Sequence, residues 1–174
     1  MSNLGFKRLS AENWLTPDST VQAFVRIAPD GSTHNISGEE WLRDILHAQI
    51  HESVPLEIRK MFEVARGVMA YGYYFYPIYT LGIGQLFRVV ESAVSLKCEM
   101  LAAPSSVKTF NQKITWLTQR GVIPENKSLH WTGLRKLRNL FAHPEMQSIY
   151  MPIEALKYIA SMSEDINSLF SRGV

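Results

Sequence analysis

The run Gly67–Phe87, GVMAYGYYFYPIYTLGIGQLF, decides the fold: twenty-one residues without a charge, closed on either side by Arg66 and Arg88. That length suffices to cross a bilayer as one helix. The composition argues otherwise. Gly67, Gly72, Gly82, Gly84, Pro77, Thr80 and Gln85 interrupt the run, and Tyr71, Tyr73, Tyr74, Tyr76 and Tyr79 crowd its middle. Tyrosine in membrane helices prefers the interfaces to the bilayer centre. The run therefore reads as a helix end, an aromatic loop and the start of the next helix, buried in the protein or at a partner interface.

Outward from this run the helical signals continue in both directions. Upstream, Ser37 and Glu40 have capping-box spacing, and Trp41, Leu42, Ile45, Leu46 and Ile50 follow at helical intervals. Pro55 suits the first turn of a second helix with the stripe Ile58, Met61, Phe62, Ala65, Val68 and Met69. A third helix is expected from about Pro77 or Ile78 to Leu101, stopping before Pro104. A fourth, capped by Ser105 or Ser106, spans Val107 to Arg120 and stops at Gly121. A fifth runs from Ser128 to Ala142 and is ended by Pro144, and Pro152 opens a last helix carrying Leu156, Ile159, Met162, Ile166 and Leu169. Before all of these, Val21–Ile27 and Ser32–Ile36 flank the turn residues Pro29, Asp30 and Gly31 and suggest a small β-hairpin. The expected fold is all-α: a bundle of five or six helices over residues 38–174, with an N-terminal hairpin accessory at 1–37.

Length and composition agree with one compact domain. The chain has 174 residues, 46% hydrophobic and 20% charged. Its single cysteine, Cys98, excludes an intramolecular disulfide and reads as a buried small hydrophobe. No apolar run precedes a cleavage site at the N-terminus, so a reducing, cytoplasmic setting without a membrane span is expected. His47 and His51 are spaced as helical zinc ligands can be, but no third ligand suggests itself; Gly82 and Gly84 lack the third glycine or Lys-Ser/Thr of a phosphate loop. No metal or cofactor is expected.

The formal charge of +2 conceals an uneven distribution. Residues 106–143 carry seven cations (Lys108, Lys113, Arg120, Lys127, Arg135, Lys136, Arg138) and one anion, Glu125, while 144–174 carry two cations and four anions. A basic face of this kind is either a solvated helix surface or the footprint of a phosphate-handling protein.

Within the basic segment lies LRKLRNLFAHPE, residues 134–145. On an ideal helix with Leu134 at zero, Phe141, Leu137 and Leu140 fall at roughly 340°, 300° and 240°, the expected buried arc. Arg138, Ala142, Arg135, Asn139, His143 and Lys136 fall between roughly 40° and 200°, one polar face. The histidine can pass protons near neutral pH, and arginine can grip a phosphate and stabilise charge developing on it. Asparagine can orient the histidine or donate to a phosphate oxygen. Histidine and arginine without metal ligands suffice to cleave RNA through attack of the 2′-hydroxyl, which DNA lacks. Equally open are a helix-terminal histidine contacting carbonyls, a surface ion pair at Arg138, and an i, i+3 pair between Arg88 and Glu91.

The hexapeptide RNLFAH, Arg138–His143, resembles the signature of HEPN domains, and YYFYPIYTLGIGQLFRVVESAV at 73–94 looks like the aromatic lead into their early helix. The resemblance covers roughly residues 55–170 and leaves the hairpin unmatched. It implies a HEPN-like helical fold and a metal-independent endoribonuclease working as a homodimer, with motif helices facing across the two-fold axis. Carried over, His143 would be the acid/base, Arg138 the phosphate and transition-state ligand, and Asn139 a support. Arg135, Lys136 and Lys127 would bind RNA phosphates, while Glu91 and Arg88 would reach the cleft. Toxin, phage-defence or abortive-infection roles, with an antitoxin or regulatory partner, are common in that family; other members only bind nucleotides, RNA or proteins.

Overall fold

The computed structural model describes residues 5–141 and 149–171. Among these, the chain runs through α1 (Ser19–Gln22), β1 (Val25–Ile27), β2 (Thr33–Asn35), α2 (Gly38–His47), α3 (Leu56–Tyr71), α4 (Ile78–Met100), α5 (Phe110–Gln119), a short 3-10 turn (Glu125–Lys127), α6 (Ser128–Phe141) and α7 (Pro152–Phe170). The protein is mainly helical, with one two-stranded antiparallel sheet. No helix among the described residues is long and apolar enough to cross a membrane.

The uncharged run is a packing seam. It divides into the end of α3, a turn and nearly the first half of α4, and α3 and α4 pack along each other. Glycine is required where they close: a Cβ on Gly72 would lie 1.9 Å from Tyr79 Cε1, and one on Gly82 would lie 2.7 Å from Met69 Cγ. The tyrosines fill the space so created. Tyr73, Tyr76 and Tyr79 are buried, and the Trp41 ring of α2 lies 5.3 Å from that of Tyr79 while its Nε1 donates to Met69 O. The aromatic turn is thus largely covered by the chain itself; Tyr71 alone of its five tyrosines is exposed.

α4 is the central helix, with α3 and α7 as its main neighbours. Ile83, Leu86, Val89, Val90, Ala93 and Val94 are all fully buried, and each large aliphatic side chain there contributes about 1.5–3 kcal/mol. α7 brings Ile159, Met162, Ile166 and Leu169 into the same core. Its Asn167 also fastens the α2–α3 connection, accepting from His51 N–H and donating to Gln49 O.

Most helix ends follow the expected chemistry. Ser37 and Glu40 form the capping box of α2, Pro152 opens α7, and Gly121 follows α5 with φ +71°. Two boundaries differ. α5 begins at Phe110, not Val107, because Thr109 and Gln112 supply a capping box that Ser105 and Ser106 do not. Residues 19–22 form a helical turn instead of extending the hairpin: Asp18 caps it through Thr20 N–H, and the strands are confined to 25–27 and 33–35. The Pro144 stop lies outside the described residues.

The N-terminal segment is anchored on the aromatic turn. Asp18, 1% exposed, accepts from Tyr76 N–H as well as Thr20 N–H, its own N–H donates to Tyr73 O, and Val21 is fully buried.

Candidate functional site

α6 carries the motif, and its orientation sets which side chains meet. Trp131 and Leu134 are buried, Arg138 and Phe141 half-buried, and Leu137 and Leu140 exposed. On the wheel used above, the inward residues lie at roughly 60°, 0°, 40° and 340°, about a quarter-turn from the arc expected. The expectation that Leu137 and Leu140 are core is therefore corrected. The large Trp131 ring claims the inward position, and Arg138, seven residues on, comes inward on the same stripe.

What receives Arg138 is Glu91 of α4. Nη2 donates to Oε1 at 2.9 Å and Oε2 at 2.7 Å, and Nε donates to Oε2 at 3.1 Å, a fork-to-fork geometry. Nη1 donates to the exposed Asn139 Oδ1 at 3.4 Å. Glu91 thus pairs with Arg138 and not, as the i, i+3 spacing allowed, with Arg88.

This pair lies in the wall of a groove of about 810 Å³ between α3, α4 and the end of α6. Arg88 is exposed and lines it too, so Arg88, Glu91 and Arg138 border one groove. The rest is largely apolar: Val68, Leu81, Phe141 and Ile149 are among the lining residues, with Gly84 opening the α4 side. Phe141, where the described part of α6 ends, stacks on Tyr150, where the chain is described again, with centroids 5.0 Å apart and planes at 20°. Phe87 packs against the Phe141 ring at 4.9 Å. Burial pushes the Tyr150 and Tyr158 hydroxyls up from their ordinary pKa, so both are neutral at physiological pH.

The remaining basic residues do not join this groove. Lys127 and Lys136 are exposed elsewhere, and Arg135 is half-buried with its Nε enclosed and unbonded. The single polar face expected for α6 is therefore divided, because turning Arg138 inward turns its neighbours away. His143 and Ala142 lie outside the described residues.

A second polar link holds the start of α6: His130 Nε2 is 2.7 Å from Asp165 Oδ2 of α7. Burial raises the Asp165 carboxyl pKa, opposed in part by the hydrogen bond to His130 and by the charges of His130 and Lys127. This link, like the inward turn of Trp131, was missed from the sequence. Cys98 is buried, and burial pushes its thiol up, as suits a packing residue. Among the described residues no three His, Cys, Asp or Glu side chains gather as a metal site.

Comparison with family models, with curated proteins and with solved structures finds no match to this chain. The fold and the groove are accordingly read from their own residues.

Proposed function

We propose that the protein is a metal-independent endoribonuclease of the HEPN type, acting as a homodimer. The observation that supports this reading is the meeting of Arg138 from the RNLFAH motif with Glu91 and Arg88 in one groove, from positions far apart in the chain. The groove opens onto exposed Val64, Leu81 and Ile149, an apolar rim suited to a second copy.

In the reaction, a histidine acting as base removes the 2′-hydroxyl proton, and the 2′-oxygen bonds to the adjacent phosphorus. The P–O5′ bond breaks, and a histidine acting as acid protonates the departing 5′-oxygen, leaving a 2′,3′-cyclic phosphate. The resemblance gives these proton transfers to His143, one from each copy, with Arg138 stabilising phosphate charge and Asn139 supporting. Arg135, Lys136 and Lys127 would draw the rest of the strand by charge. A cytoplasmic toxin or phage-defence component with an antitoxin or regulatory partner is the corresponding biological setting.

One observation favours the second reading, a non-catalytic HEPN-like dimer that binds a nucleotide, RNA or protein: the Arg138 fork is already occupied by Glu91. Incubating RNA with the protein in EDTA separates the two. Cleavage to 2′,3′-cyclic ends that is lost in His143→Ala and Arg138→Ala supports the endoribonuclease. Absence of cleavage by the wild type, or equal cleavage by His143→Ala, overturns it.

A further inference from the structure

Resting on the reading of the groove as an RNA site, we infer that Arg88, and not Arg138, is the residue that takes the phosphate when the strand binds, and that Arg138 is held beside it by Glu91, its part left to the charge that develops in the transition state.

The pairing of the two arginines carries the assignment. A phosphate is gripped bidentately through two parallel N–H groups of a guanidinium. On Arg138 the Nε–Nη2 edge is filled by the Glu91 carboxylate, and Nη1 is directed at Asn139 Oδ1. The Arg138–Glu91 pair is also neutral as a unit. A phosphate arriving there meets little net attraction, and displacing Glu91 would leave a bare carboxylate next to the incoming anion.

Arg88 has neither restriction. It lies one turn before Glu91 on α4, is exposed, and its side chain makes no hydrogen bond or ion pair with any described residue. It lines the 810 Å³ groove and also the adjoining groove of about 580 Å³ that contains Glu57, Glu91 and Glu99. Among the described residues of the larger groove, the charges are Arg88, Arg138 and Glu91, so the net positive charge offered to an anion is that of Arg88. The neighbouring groove is acidic and repels a phosphate, which confines it to the side with the apolar floor of Val68, Phe87 and Phe141. An unpaired nucleotide fits that division, its phosphate on Arg88 and its base on the apolar floor.

The probe is a short fluorescent single strand of 2′-O-methyl RNA, which lacks the attacking hydroxyl and reports binding without turnover. Its affinity is measured by anisotropy across a salt series for the wild-type protein and for Arg88→Ala, Arg88→Lys and the double variant Glu91→Gln/Arg138→Gln, each checked for an unchanged helical spectrum. Arg88→Ala is expected to weaken binding about tenfold and to lower the slope of log K against log salt by about 0.7, the contribution of one phosphate contact on a single strand. Arg88→Lys keeps the slope. The double variant Glu91→Gln/Arg138→Gln, which removes the pair as a neutral unit and leaves no bare carboxylate, binds within about threefold of wild type. Wild-type affinity in Arg88→Ala, with binding lost in the double variant, overturns the assignment and leaves the endoribonuclease reading intact. The Arg88 pattern in a protein that cleaves no RNA supports the assignment and overturns that reading. A wild-type protein that does not bind the strand overturns the assignment.

Discussion

Arg138 and Glu91, 47 residues apart in the chain, meet fork to fork, and this contact joins the end of α6 to the middle of α4. Their side chains are 35% and 34% exposed, so solvent screens the pair and its net worth is that of a partly exposed bidentate bridge, about 1 kcal/mol. Glu91→Gln and Arg138→Gln should each lower stability by about that amount, and the double variant by little more than either alone. Denaturant unfolding of the four proteins checks this; strictly additive losses would mean that the two groups do not stabilise one another.

A larger effect is expected from Trp131, which is 1% exposed and shares the inward stripe of α6 with Arg138. Trp131→Ala should cost about 3–5 kcal/mol, whereas Leu140→Ala, at 44% exposure, should change stability by about 0.5 kcal/mol or less. If Leu140→Ala unfolds the protein as readily, the helix faces the way its leucines suggested.

That contrast shows what the sequence could and could not reveal. The ends of α4 and α7 and the capping box of α2 were legible because local chemistry determines them: Pro152 fixes a first turn, and Ser37 with Glu40 satisfies its own helix N-terminus. Their partner faces needed the tertiary fold. α6 has leucines on one side and tryptophan with phenylalanine on another, so either could have been the core; burial of the Trp131 ring decided it, with Glu91 in place to receive Arg138. Glu91 and Arg88 stood out as polar groups in an apolar stretch, whereas Arg138 was expected on the open polar face of its helix and not inward against Glu91. Arg135, Lys136 and Lys127 were not separable from Arg138, because net charge along the chain carries no direction. Asp18 gave no signal at all: its partners, Tyr73 and Tyr76, lie in a turn whose path no local pattern specifies.

Asp18 is nonetheless the residue on which the N-terminal segment depends. Its carboxylate satisfies Thr20 N–H at 2.9 Å and Tyr76 N–H at 3.2 Å in a nearly solvent-free position. Asp18→Ala leaves both donors unpaired and should cost about 1–3 kcal/mol for each. Limited proteolysis should then cut within residues 5–36 before the helices, while Asp18→Asn, which retains one acceptor, falls between. Unchanged protection of that segment in Asp18→Ala would show that Val21 and the strands hold it unaided.

The burial of Asp165 predicts a pH dependence of opposite sign to the usual carboxylate. Burial raises the Asp165 pKa, so from about pH 4 upward the native protein holds this proton more tightly than the unfolded chain does. With more protons bound in the native state, stability falls as pH rises through this window, then levels once the native carboxyl has ionised. Glu40 works the other way. Donation from Ser37 N–H and from His34 holds its pKa at about 2, so its contribution is present above the ordinary glutamate value and is lost as pH falls toward about 2. The two are separated by comparing wild type with Asp165→Asn, which keeps an oxygen for the His130 ring but has no proton to release. From pH 4 upward the stability of the wild type relative to the variant should decline and then flatten, as read from urea midpoints at each pH. A difference that stays constant across the range would show that Asp165 titrates as it does in the unfolded chain.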